Sequence, residues 1–328
     1  MCFSLPASRD LFRARTAEQW REIYLSKKPL PLDATIPRMS DVLHNRAVLD
    51  DLADRIDVEL CYATMLHGFW PQISSYQESA KFFSSPHRSA QHQAHVFLQI
   101  QHQELYRNIE TISTQIMTSR APSPHLAVVS ELFAVILHVT LDDLQLFAGK
   151  NGEEEARRIR AALESLWAGT ADARHAAWHA GQVLRHARRL PPTSLREFNA
   201  IAVYYSSLAL WIYGILHGDR EAMRREGSTA GYVLLDGEET RETRAFVQLD
   251  SGVPALSMSA PNGGGNTEIV PLADSETVLG LAQEVFRVNF PVRSEPLPPL
   301  VESLSCLLRD LGIGNSETES PAMTTMKD

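Results

Sequence analysis

Cysteine is scarce in this 328-residue chain. Its three cysteines, Cys2, Cys61 and Cys306, lie far apart and are odd in number, so they draw no disulfide framework and no paired-cysteine zinc site. Thiols used this sparingly suit a reducing compartment, cytosol or nucleus. Net positive charge is lacking too: 31 Lys and Arg stand against 40 Asp and Glu, a formal net charge of -9. A protein that grips nucleic acid neutralises phosphates with a basic surplus or stripe, so DNA binding by this chain alone is disfavoured. The opening residues carry no apolar segment of signal-peptide length, which predicts a soluble intracellular protein. Strand-like alternation is almost absent, and neither an internal repeat nor a coiled-coil run is present. No serine sits in a G-x-S-x-G elbow. The run PNGGGN (261–266) lacks the Lys-Ser/Thr that follows a phosphate-binding loop, and reads as a flexible linker.

What is present is helical. With 44% hydrophobic residues the chain can fill one large core or two fused helical halves. Thr16 and Gln19 form a capping-box pattern ahead of a helix. Asp41 to His67 predicts a long helical stretch broken once. Ser89 to Thr118 predicts another, with Val96, Ile100, Leu105, Ile109, Ile112 and Ile116 recurring at helical spacing. Leu126 to Phe147, Glu153 to Trp167 and Ala171 to Leu190 follow, each closed by glycine or proline. Ser194 and Glu197 predict a capping box for an apolar helix, Phe198 to Leu216, which carries no Asp, Glu, Lys or Arg. That length suits a membrane span. Its Asn199, tyrosines and serines favour instead the buried centre of a large helical domain. Tyr232 to Leu235 reads as a short strand or extended chain. Asp274 to Asn289 and Pro298 to Leu311 read as further helices. The fold class is all-α: one multi-helix domain over 1–313 around the helix at 198–216, with a disordered polar tail over 314–328.

Three groups of residues invite a chemical reading. His175, His179 and His186 lie within about a 40° arc of one helix. His175 and His179, about 6 Å apart along the axis, have a spacing that one metal can bridge. His186 lies about 10.5 Å beyond His179, out of reach of that metal. Two ligands fall short of the three or four that zinc takes, so no metal residue is assigned, and these histidines are expected to hydrogen-bond between helices. His92, His95 and His102 read as a solvated helix face. Arg174, Arg185, Arg188 and Arg189, on the side that carries Trp178, read as a solvated face or a docking face for another helix or protein. Arg157, Arg158 and Arg160 add a small basic group on the preceding helix.

Asp50, Asp51 and Asp54 spell D-D-L-A-D, which resembles the aspartate-rich motif of terpenoid synthases, where carboxylates hold magnesium against a diphosphate. An all-α enzyme of that kind is therefore an alternative reading. The Asn, Ser and Glu of that family's second motif are not matched, since Asn199 is followed four residues on by Val203. An exposed acidic turn accounts for the motif better. No catalytic and no cofactor-binding residue is assigned.

A wider resemblance covers most of residues 5 to 313. LPASRDLFRARTAEQWREIYLS, LQLFAGKNGEEEARR, RHAAWHAGQVLRHARRLPPTSLREFNAIAVYYSSLALWIYG, LLDGEET, VPLADSETVLGLAQEVFRVNFP and LPPLVESLSCLLRDLG occur in this order. Together they resemble the fungal-specific transcription factor domain, the helical middle-homology region of fungal regulators, and Arg174 to Gly214 is the most specific part. The resemblance implies a non-enzymatic, nuclear role in regulating RNA polymerase II transcription. It also implies protein partners or a full-length relative, and room for a small-molecule effector. The variant is most similar to the branch whose DNA-binding module is a pair of zinc fingers. Without a Cys-x-x-Cys this chain supplies no ligands for such a module, so zinc and DNA contact are expected only through a part absent from it. A scaffold or dominant-negative partner of a full-length relative is the remaining alternative.

Overall fold

A computed structural model of the chain describes residues 4–27, 37–44, 47–83, 91–119, 122–224, 231–259, 267–291 and 296–318. The linker PNGGGN and the last ten residues of the expected polar tail lie outside the described residues. Helices dominate, as the sequence predicts. The N-terminal part runs through α1 (Arg9–Arg13), α2 (Ala17–Ser26), α3 (Met39–His44), α4 (Ala47–Asp51), α5 (Val58–His67), α6 (Trp70–Phe83) and α7 (Gln91–Thr118). The remainder adds α8 (Pro124–His138), α9 (Leu141–Phe147), α10 (Glu153–Leu166), α11 (Ala171–Ala187), α12 (Glu197–Arg224), α13 (Arg241–Leu249), α14 (Ser275–Asn289) and α15 (Pro299–Thr318). The last helix therefore continues past Gly314, where the tail is expected to begin.

Two hydrophobic cores share one wall, α8. Twelve of its fifteen residues are buried, the mark of a helix covered on all sides. Its Val128, Leu132 and Val135, with Val139 just after it, face a core built with α10, α11, α12 and α14. Its Leu126, Val129, Phe133, Ile136 and Leu137 face a second core with α5 and α7. On α7, Leu105, Ile109, Ile112 and Ile116 are buried, whereas Val96 and Ile100, in the same periodic run, are exposed. The helix simply extends beyond the surface it packs on.

The apolar helix at 198–216 is buried as expected. It is α12, and 83% of its most apolar window is enclosed by the rest of the chain. By length and composition alone it also passes as a membrane span, but its apolar faces are taken by α8, α11, α14 and α15. Close approach needs glycine twice: a Cβ on Gly214 would stand 1.9 Å from the Leu272 carbonyl oxygen, and one on Gly181 2.4 Å from that of Leu235.

Several local expectations are corrected. Leu126 to Phe147 is not one helix. The chain is extended at Val139, Thr140 caps α9 through the Asp143 N–H at 3.1 Å, and the two segments bend by 75°. The stretch from Asp41 to His67 is three helices, because Asp57 caps α5 at the Leu60 N–H, 3.0 Å away. Ser194 and Glu197 form no capping box. Asn289 of α14 holds that turn instead, its Oδ1 accepting from the Leu195 N–H at 2.8 Å and its Nδ2 donating to the Pro191 carbonyl at 3.0 Å. A small sheet also goes beyond the helical reading. β1 (Tyr232–Leu234) pairs parallel with β2 (Val253–Ser259), which pairs antiparallel with β3 (Thr267–Pro271). Its inner residues Val233, Leu256 and Val270 extend the α12 core.

Candidate functional site

Side-chain spacing on three helices builds one polar cluster at the junction of the two cores. On α7, His102 and Tyr106 are four residues apart. On α8, Glu131 and His138 are seven apart. On α11, Asp172, His175 and His179 follow at intervals of three and four. Each interval keeps the groups on one helix face, and packing of α8 against α7 and α11 brings the three faces together.

The hydrogen bonds settle which nitrogen carries each proton. His179 Nδ1 lies 2.6 Å from Glu131 Oε2, and a carboxylate only accepts, so Nδ1 donates and Nε2 holds the lone pair. The Tyr106 hydroxyl, 2.9 Å from that Nε2, donates to it. With its one proton so used, Tyr106 oxygen accepts from His175 Nδ1 at 3.3 Å. His138 Nδ1 donates to Asp172 Oδ1 at 2.9 Å. Its Nε2 is left buried with no hydrogen-bond partner among the described residues. A buried polar atom left unpaired costs about 1–3 kcal/mol, and His102 Nε2 in the same cluster is likewise buried with no hydrogen-bond partner among the described residues.

Burial sets the charge state. It pushes His138 down to about 3, against the opposing pull of its Asp172 hydrogen bond. Burial, then the neighbouring His179, pushes His175 down to about 4. His102 is also lowered by burial, with Asp172 opposing. These imidazoles are therefore neutral near pH 7, the form that accepts protons and binds metals. Burial raises the Tyr106 phenol, which stays protonated. Asp172 remains ionised: burial, the largest single effect, favours its neutral form, but the His138 N–H it accepts and the neighbouring His138, His102 and His175 together outweigh that. The rings of His138 and His175 stack with centroids 4.9 Å apart. One ring nitrogen from each of His138, His175 and His179 lies within 4.8 Å of the others, and His102, His138 and Asp172 meet the same limit. The cluster floors a cleft of about 950 Å³ lined also by Tyr76, Phe83, His95 and Gln99.

The sequence places His175 and His179 correctly on one face, and their expected hydrogen bonds between helices form. His186 is buried farther along α11. His102 is not on a merely solvated face: it is half-buried in the cluster, while His95 is exposed at the rim. His92 lies in α7 with its side chain outside the described residues. His138 escapes the sequence reading, although with Glu131 it forms an ionisable pair seven residues apart on a mostly apolar helix.

Three of the four arginines read as a face of α11 dock other parts of the same chain, and Arg189 is exposed. Arg174 is buried and donates to the Val247 carbonyl at 2.9 Å. Arg185 pairs with Glu238 at 2.9 Å, and Arg188 pairs with the fully buried Asp236 carboxylate. Gln182 donates to the Leu235 and Gly237 carbonyls at 2.7 and 2.9 Å, so the segment LLDGEET is strapped across α11. On α10, Arg157 and Arg158 face Glu153 and Glu155. Asp50, Asp51 and Asp54 sit exposed on α4 and the turn after it. Asp50 and Asp54 line an open cleft whose basic residues are already paired, Lys27 to Asp10 and Arg9 to Asp57. Among the described residues these three aspartates form no cluster tight enough to share a metal.

No protein-family model, no curated protein and no solved structure matches the chain.

Proposed function

We propose that this chain is the helical regulatory region of an RNA polymerase II transcription factor, working in the nucleus through protein partners while a separate module finds the promoter. The observation that carries this reading is the fit between resemblance and packing. Arg174 to Gly214, the part most specific to the resemblance, and Leu234 to Thr240, another resembling segment, pack on one another. α11 and α12 lie side by side, LLDGEET is bound across α11, and Gly181 admits the Leu235 backbone. Residues that resemble a family in two separate stretches thus meet as one structural unit.

The role without DNA contact has its own support. Of the two basic groups, the arginines at 157, 158, 174, 185 and 188 are engaged by acidic side chains or carbonyls of the same chain, and Arg160 and Arg189 are exposed. With a net charge of -9 this leaves little to neutralise a duplex. Titration of the purified chain with duplex DNA is expected to give only weak binding, about 10⁻⁴ to 10⁻⁶ M, that disappears as salt is raised. Nanomolar affinity for one sequence would refute the reading.

A further inference from the structure

We propose that His138, His175 and His179 form a binding site for a divalent transition-metal ion of the zinc class, joining α8 to α11 at the floor of the histidine cleft.

Four observations lead there. First, one nitrogen from each of the three rings lies within 4.8 Å of the others. A tetrahedral zinc with bonds of about 2.0–2.1 Å holds its nitrogens about 3.4 Å apart, so modest ring rotations close the set. Second, His138 Nε2 is buried and without a hydrogen-bond partner among the described residues, and the His138 side chain is only 2% exposed. A lone pair in that position is satisfied by an ion. Third, each of two ligands is backed by a carboxylate: Glu131 holds His179 by Nδ1 at 2.6 Å, and Asp172 holds His138 by Nδ1 at 2.9 Å. This fixes the tautomer that presents Nε2 and adds negative charge behind the ring, the usual outer shell of a histidine–zinc site. Fourth, His138 and His175 line the cleft, which gives an entry path and leaves a fourth position for water.

Imidazole donors select zinc, copper, nickel or iron over the hard ions magnesium and calcium. The Tyr106 hydroxyl now bonded to His179 Nε2 occupies part of the place the ion takes. Binding therefore turns the three rings out of their near-parallel stack and frees Tyr106, so the ion clamps α8 to α11 and loosens both from α7. The alternative set His102, His138 and Asp172 uses the same His138 and offers only two imidazoles. The proposal does not depend on the regulatory reading. Within that reading it makes metal a ligand able to shift the helices.

The test is titration of the untagged, reduced full chain with zinc chloride, read by competition with a chromophoric chelator, together with cobalt substitution. The expected result is one saturable ion per chain, a rise in Tm with zinc, and a tetrahedral cobalt spectrum free of thiolate charge-transfer bands. His175→Ala is expected to weaken binding by about 100-fold or more, since it removes one of three ligands. His175→Asn supplies a second variant that keeps a polar contact to Tyr106, and His95→Ala at the rim is expected to bind like wild type. Absence of saturable binding to the folded chain overturns the proposal. So does affinity unchanged in both His175 variants, or a cobalt spectrum dominated by thiolate.

Discussion

Leu208→Asp is expected to abolish cooperative folding. Leu208 is fully buried in α12, amid the core that α8, α11, α14 and the sheet complete. A carboxylate there meets apolar side chains and no cation, and an uncompensated buried charge costs several kcal/mol, about 3–5 by the measured cost of breaking buried ion pairs. A domain holds only about 5–15 kcal/mol in total, and the same substitution removes the leucine's own packing, worth about 2–5 kcal/mol as judged by Leu→Ala exchanges. Circular dichroism during urea titration checks this. Leu208→Asp should show no cooperative transition, whereas Leu208→Ala should retain one at lower urea. A cooperatively folded Leu208→Asp chain with the wild-type midpoint would mean that α12 is not the centre of the core.

The second large effect comes from a single methyl group. Gly214→Ala should destabilise the chain by about 3 kcal/mol, at the upper end of what overpacking usually costs. The added Cβ would sit 1.9 Å from the Leu272 carbonyl oxygen and 2.8 Å from its carbon, contacts only backbone displacement can relieve. That backbone is anchored, since the Leu272 N–H donates to the Pro254 carbonyl at 3.0 Å. Helix propensity acts the other way, favouring alanine over glycine by about 1 kcal/mol, so a net loss isolates the clash. One turn further on, Gly218 supplies the control. Its Cβ would meet only the Ala273 methyl at 3.9 Å, an ordinary contact, so Gly218→Ala should stabilise. Opposite shifts of the urea midpoint for the two variants are the expected result. Equal shifts would show that propensity, not the close approach of α12 to the sheet, decides both.

These effects rest on features of unequal visibility in the sequence. Periodic apolar positions and terminal glycines or prolines expose the long helices α7, α10, α11 and α14 almost to their ends, because that information is local, whereas α12 runs through Gly218 to Arg224, eight residues beyond the apolar run that ends at Leu216. The bend at Val139–Thr140 is harder to see. Both flanking segments are apolar, and the deciding signal is a single threonine that serves as a cap. α6 begins at Trp70 with Pro71 in its first turn, where proline is favoured, and the sequence reading carries no helix there. Strands β2 and β3 are short, and their identity as strands comes from pairing with each other and with β1, which neighbours in sequence do not reveal.

The cluster shows the same division. Helical spacing places His175 and His179 together, and the shortage of ligands on one helix argues against a metal. Only packing brings in His138 from α8, Tyr106 and His102 from α7, and the carboxylates Glu131 and Asp172. Likewise the arginine stripe of α11 reads in sequence as a solvated face or a docking face for another helix or protein, and Arg185 and Arg188 become an internal fastening once LLDGEET is docked on them. That fastening relies partly on the buried Asp236, whose oxygens accept from both the Ser257 N–H and hydroxyl as well as from Arg188. Charged groups buried with full complements of partners are held firmly. The segment is therefore a fixed part of the fold rather than a mobile loop.

The proposed regulatory role is tested most directly by supplying a DNA reader from outside. The chain is fused to a DNA-binding module of known specificity, and transcription is measured from a reporter carrying that module's site. The account predicts that the fusion changes reporter output relative to the module alone, and that a fusion carrying Leu208→Asp does not, at matched abundance. Output indistinguishable from that of the module alone, from a fusion shown to be folded, nuclear and bound at the site, would contradict it.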